Sequence, residues 1–296
     1  MTAQRVIDRL GHLALRARDL EAAVREAVEL MGMREVARDD SSVYLRVGAE
    51  HHSLQLVAAD ADGLDHLGLE ASGPAGVAEA RARIDREGLP VVSDGPLGTG
   101  VEDGFAFLGP DGVTYEIYSG MDGGQPPYVP SGVRPMRLGH VTMHPTDPPA
   151  VAEFLQRVLG FRLSDRVGPD GYFLRCNAEH HAIGLFRGRG TLHHHAWEVQ
   201  SIAELGRLGD VLGGQRRRVL WGPVRHTVGN NIAVYFLGSA GAVVEYYADM
   251  EHIYDEGSFQ PRVWSADDPW WYSMWAEERP AGFRDHGLVP HDRAAG

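Results

Sequence analysis

The chain has 296 residues, 43% apolar and 23% charged, with a formal net charge of −13 at pH 7. That balance suits one or two packed domains, and its sign repels phosphate, so neither nucleic acid nor an anionic membrane surface is an expected partner. A single cysteine, Cys176, excludes an intramolecular disulfide framework and suits a reducing cytosol. No stretch approaches the ~20 apolar residues of a membrane span, and no secretory signal is read at the start, so a cytoplasmic location is expected.

After a lead-in to Arg5, expected to be disordered, Arg9 to Leu15 alternates as a strand does. Asp19 is a good N-cap for a helix from Leu20 towards Met33, with Gly32 at its end. Val43 to Val47 and Ser53 to Val57 read as strands, with His51-His52 between them. The unit restarts at Asp65-His66-Leu67-Gly68. A helix around Val77 to Glu87 closes at Gly88, and strands near Phe105 to Leu108 and Val113 to Tyr118 flank a Gly-Pro-Asp-Gly turn. Gly120 to Gly132 holds four glycines and three prolines and reads as a linker.

Beyond the linker the pattern returns. Leu138-Gly139-His140-Val141 answers Leu10-Gly11-His12-Leu13, and a helix from about Pro149 to Leu159 stops at Gly160. His12 and His140, His52 and His181, His66 and His194, and Glu116 and Glu245 are each 128 or 129 residues apart. An internal duplication explains so constant an offset. Each half holds two strand-rich units, giving an N-terminal domain (1–132) and a C-terminal domain (133–250). The Trp-rich tail (251–296) has too little apolar sequence for its own core, and is expected to cover a domain or a neighbouring subunit.

The chemistry concentrates in the second half. His193-His194-His195 opens a short apolar run, and strand alternation would put His193 and His195 on one face and His194 on the other. Two histidines and a carboxylate around one ion with open positions is the arrangement of non-heme Fe(II) oxygenases, and His140, His194 and Glu245 occupy equivalent places in their units. His195 is the competing register for His194.

Leu-Gly-His140-Val, His193-His194-His195-Ala-Trp and Val-Val-Glu245-Tyr-Tyr resemble the ligand segments of the type I extradiol ring-cleavage dioxygenases of the vicinal oxygen chelate superfamily. The resemblance implies an α+β fold of two domains, each of two paired βαβββ modules forming a half-open barrel. It implies Fe(II), with Mn(II) as the alternative, on His140, His194 and Glu245, and a catechol-type substrate opened by O2. It implies proton chemistry at His181, which would stabilise negative charge when protonated and then help break the O–O bond. His226 and Tyr235 would hydrogen-bond the substrate, Asn230 and His193 would contact it, and the protein would be a homo-oligomer, a dimer or tetramer. In the first half His12, His66 and Glu116 look like a second copy of the triad, but Leu97 and Ala106 stand where His226 and Tyr235 would fall, so a vestige of the duplication is expected there. The other readings are an isomerase, epimerase, thiol transferase or glyoxalase-type lyase of the same superfamily, or a non-enzymatic binder of small aromatic molecules.

Overall fold

The computed structural model describes residues 5–121, 123–125, 132–276 and 278–292. Within the expected linker, residues 122 and 126–131 lie outside the described residues, as do the first four of the lead-in. The chain runs β1 (Ile7–Ala17), α1 (Leu20–Glu29), β2 (Arg34–Arg38), β3 (Ser42–Arg46), β4 (Leu54–Ala58), then β5 (Gly63–Ala71), α2 (Gly73–Glu87), β6 (Val91–Ser93), β7 (Val101–Leu108) and β8 (Thr114–Met121). The second half repeats the order with β9 (Arg137–His144), α3 (Pro148–Arg157), β10 (Arg162–Val167), β11 (Gly171–Arg175), β12 (Ile183–Leu185), β13 (Thr191–Glu198), α4 (Ile202–Gly214), β14 (Trp221–Arg225), β15 (Ile232–Leu237) and β16 (Val243–Ala248). The tail adds β17 (Arg262–Trp264) and two short 3-10 turns. The α+β architecture of four βαβββ modules is therefore present.

Local chemistry explains the helix starts. Asp19 and Asp147, 128 residues apart, each accept a hydrogen bond from a backbone N–H three residues on, satisfying a donor that the first turn leaves free. Gly88 ends α2 in the left-handed conformation at φ 68°, which a Cβ disfavours. Among the elements absent from the reading of the residues, which include β10, β11, β14 and β17, three have a plain cause. β2 has a polar, largely exposed sequence at a sheet edge, and β6 spans only three residues. α4 buries Leu205, Leu208 and Leu212 along one stripe, but Gly206, Gly209, Gly213 and Gly214 dilute the helical signal.

Each half is one curved mixed sheet, ordered β2-β3-β4-β1-β5-β8-β7-β6 in the first and β14-β15-β16-β13-β9-β12-β11-β10-β17 in the second. At both centres the leading strands of paired modules run antiparallel, β1 with β5 and β9 with β13, and each takes its own module's last strand in parallel. A continuous apolar core crosses the two halves, and the Tyr246 hydroxyl donates to the Met31 carbonyl at 3.2 Å between them. Among the described residues no helix is long and apolar enough to cross a membrane.

One close approach recurs. A Cβ at Gly11 would collide with the Tyr118 hydroxyl, and one at Gly139 with the Tyr247 hydroxyl. Both hydroxyls are buried without a hydrogen-bond partner. Gly139→Ala is expected to destabilise the protein by about 1–3 kcal/mol in urea unfolding, as overpacking does. Tyr247→Phe in the same chain should return part of that loss, since it removes the colliding atom and no hydrogen bond.

Candidate metal centre

Sheet register builds the site. On adjacent strands His140 of β9 pairs with Ala196 of β13, and Ala196 pairs with Glu245 of β16, so the three stand level across the sheet. His194 lies two residues before Ala196 and shares its face by strand alternation. The small side chain at Ala196 leaves room over the strand for groups from both sides.

The ligand atoms of His140, His194 and Glu245 all lie within 4.8 Å of one another, and all three residues are buried. Glu245 Oε2 is 3.2 Å from His140 Nε2 and 3.1 Å from His194 Nε2. The other carboxylate oxygen accepts a hydrogen bond from the Asn231 side-chain amide at 3.1 Å. Burial pushes the Glu245 carboxyl up, but the two imidazoles outweigh it and hold the group well below its ordinary range.

A second layer sets the tautomer of His194. The Phe283 carbonyl only accepts, so His193 Nε2–H donates to it at 2.7 Å. Neutral His193 then has a bare Nδ1, which accepts from His194 Nδ1–H at 2.7 Å. This leaves the His194 Nε2 lone pair facing the carboxylate, as a metal ligand requires. Burial, with His194 next, pushes His193 down to about 2 and keeps it neutral.

Strand alternation alone would have turned His193 away from His194. A bulge between Leu192 and His194 inserts one extra residue, and both imidazoles border the same cavity. His195 goes the other way: its Nδ1 accepts from the Trp197 indole N–H at 2.7 Å, inside the protein. The structure thus gathers His140, His194 and Glu245 and leaves the competing register apart.

His181 stands beside this cluster, its ring centroid 4.3 Å from that of His140. Its Nδ1 is 3.0 Å from His180 Nδ1, and His180 Nε2 in turn lies 3.3 Å from Asp165. Burial, reinforced by His140, holds His181 well below 6.5 and therefore neutral. On the opposite side His226 Nδ1–H donates to the Tyr272 carbonyl at 2.5 Å, so its Nε2 accepts from the Tyr235 hydroxyl at 2.8 Å. Burial lowers the His226 pKa and raises that of Tyr235 well above 10.

These groups share a cavity of about 640 Å³, its open mouth included. Asn230 is not among its walls. It is exposed at φ 55°, its carbonyl accepts from Arg225, and the next residue, Asn231, takes the inward place. The reading of the residues missed His144, Phe173, Trp221 and Val228, and within the tail Arg279, Phe283 and Arg284, whereas Trp271 and Tyr272 belong to the tail cluster it expected over a domain. Phe186 and Trp271 stack at 5.5 Å between centroids, so the tail adds aromatic surface to the cavity wall. No carboxylate among the described residues is paired with Arg279 or Arg284, whose guanidiniums lie over Tyr272 and Phe186. Cys176 is buried, and burial pushes its thiol up to about 12, so it is no nucleophile.

Comparison with known proteins places this geometry. The chain is 25% identical to the manganese-dependent 2,3-dihydroxybiphenyl 1,2-dioxygenase of Geobacillus genomosp. 3 over 96% of this chain and 98% of that one. It is 24% identical to the metapyrocatechase of Geobacillus stearothermophilus over 88% and 87% of the two chains. Among solved structures, the Mn(II)-bound glyoxalase from Novosphingobium aromaticivorans superposes with a TM-score of 0.87 at 28% identity, covering 97% of this chain and 95% of that one. The model of the Glyoxalase/Bleomycin resistance protein/Dioxygenase superfamily matches residues 9–117 and 137–246, one stretch in each half. The chain belongs to that superfamily, twice over in a single polypeptide.

Proposed function

We propose that this chain is an extradiol ring-cleaving dioxygenase, inserting both atoms of O2 into a catechol-type ring beside its two hydroxyls and releasing a hydroxymuconic-semialdehyde-type product. The observation that carries the reading is the company the triad keeps. Two imidazoles and a carboxylate share one aromatic-walled cavity with His181, His226 and Tyr235. The donor set fits Fe(II) or Mn(II), because His194 Nε2 and Glu245 Oε2 meet there with their outer atoms already tied. Such an ion supplies open positions where the ring oxygens and dioxygen are held together and a path for electrons out of the ring.

The rest is the work of the chain. Phe173, Phe186 and Trp271 offer apolar faces to the ring and exclude water. His181, neutral through burial, accepts a proton from a ring hydroxyl and returns it when the O–O bond breaks. The Tyr235 hydroxyl gives its one proton to His226 Nε2 in this structure, and turns it to a developing negative oxygen on the substrate once the ring is bound. His193 acts on the reaction through His194. Arg279 and Arg284 favour a ring bearing an acidic substituent, since each offers a cation to the cavity.

The same reading places the protein in the cytoplasm as a homo-oligomer, with the first half non-catalytic and the tail as lid and subunit contact. Tyr254, Val263, Trp270 and Trp275, all in the tail, are exposed large apolar side chains that a second copy would cover. Truncation after Asp249 is expected to abolish turnover and to reduce the assembly measured by light scattering. Unchanged turnover and mass would remove the tail's role.

The deciding experiment loads the protein anaerobically with Fe(II) or Mn(II) and follows oxygen uptake against substituted catechols. One O2 consumed per ring, with a yellow product, is the expected result. Turnover of a thiol adduct without oxygen uptake would favour the glyoxalase-type reading, and ligand binding undiminished by chelation would favour a binder. His181→Ala should lower kcat by roughly 10²–10⁴-fold, the worth of a positioned proton-transfer group, with the metal content unchanged. Arg279→Gln should raise KM for a carboxylate-bearing catechol well above that for catechol itself. The His181 and His226 pKa values are both lowered from 6.5, so the neutral forms persist below that pH. The acid limb of kcat/KM should therefore lie below pH 6.5, activity falling as the pH drops through the shifted values; a limb at or above 6.5 would contradict the assignment.

A further inference from the structure

The first half holds a second set of converging ligands. His12 of β1 pairs with Gly68 of β5, and Gly68 pairs with Glu116 of β8, with His66 two residues before Gly68. The ligand atoms of His12, His66 and Glu116 lie within 4.8 Å of one another. Glu116 Oε2 is 2.9 Å from His12 Nε2 and 3.4 Å from His66 Nε2, and those two nitrogens are 3.1 Å apart.

The outer atoms are held here too, by different groups. The Leu97 backbone N–H donates to Glu116 Oε1 at 2.7 Å, where the second half uses Asn231. His66 Nδ1–H donates to the buried Asp65 carboxylate at 2.7 Å, where the second half uses His193. Each hydrogen bond turns a remaining lone pair inward, and a carboxylate behind a histidine is the usual support of a bound metal. The ring of a fourth histidine, His52, lies 4.6 Å from His12, and its buried Nε2 has no hydrogen-bond partner. Gly68, standing where the second half has Ala196, lets the His12 ring occupy the space a Cβ would fill.

What differs is access. His12, His66 and Glu116 are at most 1% exposed, against 8% for His194, and Leu97 and Ala106 stand in the places of His226 and Tyr235. We propose that His12, His66 and Glu116, with His52 beside them, hold a second divalent transition-metal ion that is closed to substrate and serves the fold of the first half. Nitrogen-rich donor sets of this kind suit Zn(II), Fe(II) or Mn(II).

The test counts ions and does not depend on turnover. The chain and its His140→Ala/His194→Ala double variant are each loaded with Mn(II), desalted and analysed by plasma mass spectrometry and Mn(II) EPR, with parallel loading by Zn(II). Two ions per wild-type chain and one in the double variant are expected, whether or not the second half cleaves rings. One ion in the wild type and none in the double variant would overturn the proposal. In the double-variant background Asp65→Asn should weaken the retained ion roughly 10–100-fold, as loss of such a support does, and chelation should lower Tm. An ion as tight in the Asp65→Asn chain, or a Tm indifferent to chelation, would deny the site its proposed build and its service to the fold.

Discussion

A carboxylate without water is the constraint around which the second half is arranged. Glu245 is 1% exposed, and an ionised carboxylate in such surroundings is costly unless other groups answer its charge. Three answer it, His140 of β9, His194 of β13 and the amide of Asn231 in the loop before β15. The central strands must therefore keep register to within one residue, because a one-residue slip would turn His140 or Glu245 to the opposite face. The parallel pairing of β13 with β16 and the antiparallel pairing with β9 set that register, and apolar packing of Val141, Ile183, Val244 and Tyr246 supports it from behind.

The same demand explains the histidine-rich neighbourhood. A metal ligand must present a lone pair, and an acceptor held at its other nitrogen fixes the tautomer that does so. His194 has such an acceptor, whereas His140 Nδ1 is buried with no hydrogen-bond partner. His193 does this for His194 by spending its own proton on the Phe283 carbonyl. Because Phe283 is in the tail, the segment that covers the cavity also sets the proton arrangement of a ligand.

The duplication, the equivalent spacing of His140, His194 and Glu245 and the Asp19 cap were legible in the sequence because they depend on local spacing or repeat at constant offset. The turn of His193 towards the cavity was implied only by the resemblance, because period-two alternation has no term for a bulge, and the extra residue becomes visible only when Leu192 and His194 are matched to β9. Asn230 was read in the place that Asn231 takes for a related reason. Either amide suits a polar position, and only the left-handed backbone at Asn230 decides that it turns out and Asn231 turns in. α4 escaped because four glycines in thirteen residues imitate a loop, and burial of its leucine stripe supplies what propensity does not. The cavity wall was the least legible part. Trp221, Phe283 and Arg284 reach it from segments far apart in the chain, and nothing in their local sequence marks them as neighbours.

Comparing the halves separates what the fold supplies from what the reaction needs. Both offer two imidazoles and a carboxylate from three adjacent strands, and in both the carboxylate's outer oxygen is hydrogen-bonded, by a backbone N–H in one and an amide side chain in the other. The ligand geometry therefore belongs to the paired-module sheet and survives a change of supporting residues. The pair His226 and Tyr235 does not belong to it, although His52 stands beside His12 as His181 stands beside His140. His226 and Tyr235 depend on β14, β15 and the tail carbonyl of Tyr272, a combination for which the first half has Leu97, Ala106 and no covering segment of that kind among its described residues. A sheet that gathers two imidazoles and a carboxylate is thus common to both halves, and the aromatic cavity with His226 and Tyr235 is found in the second, where the C-terminal tail folds back.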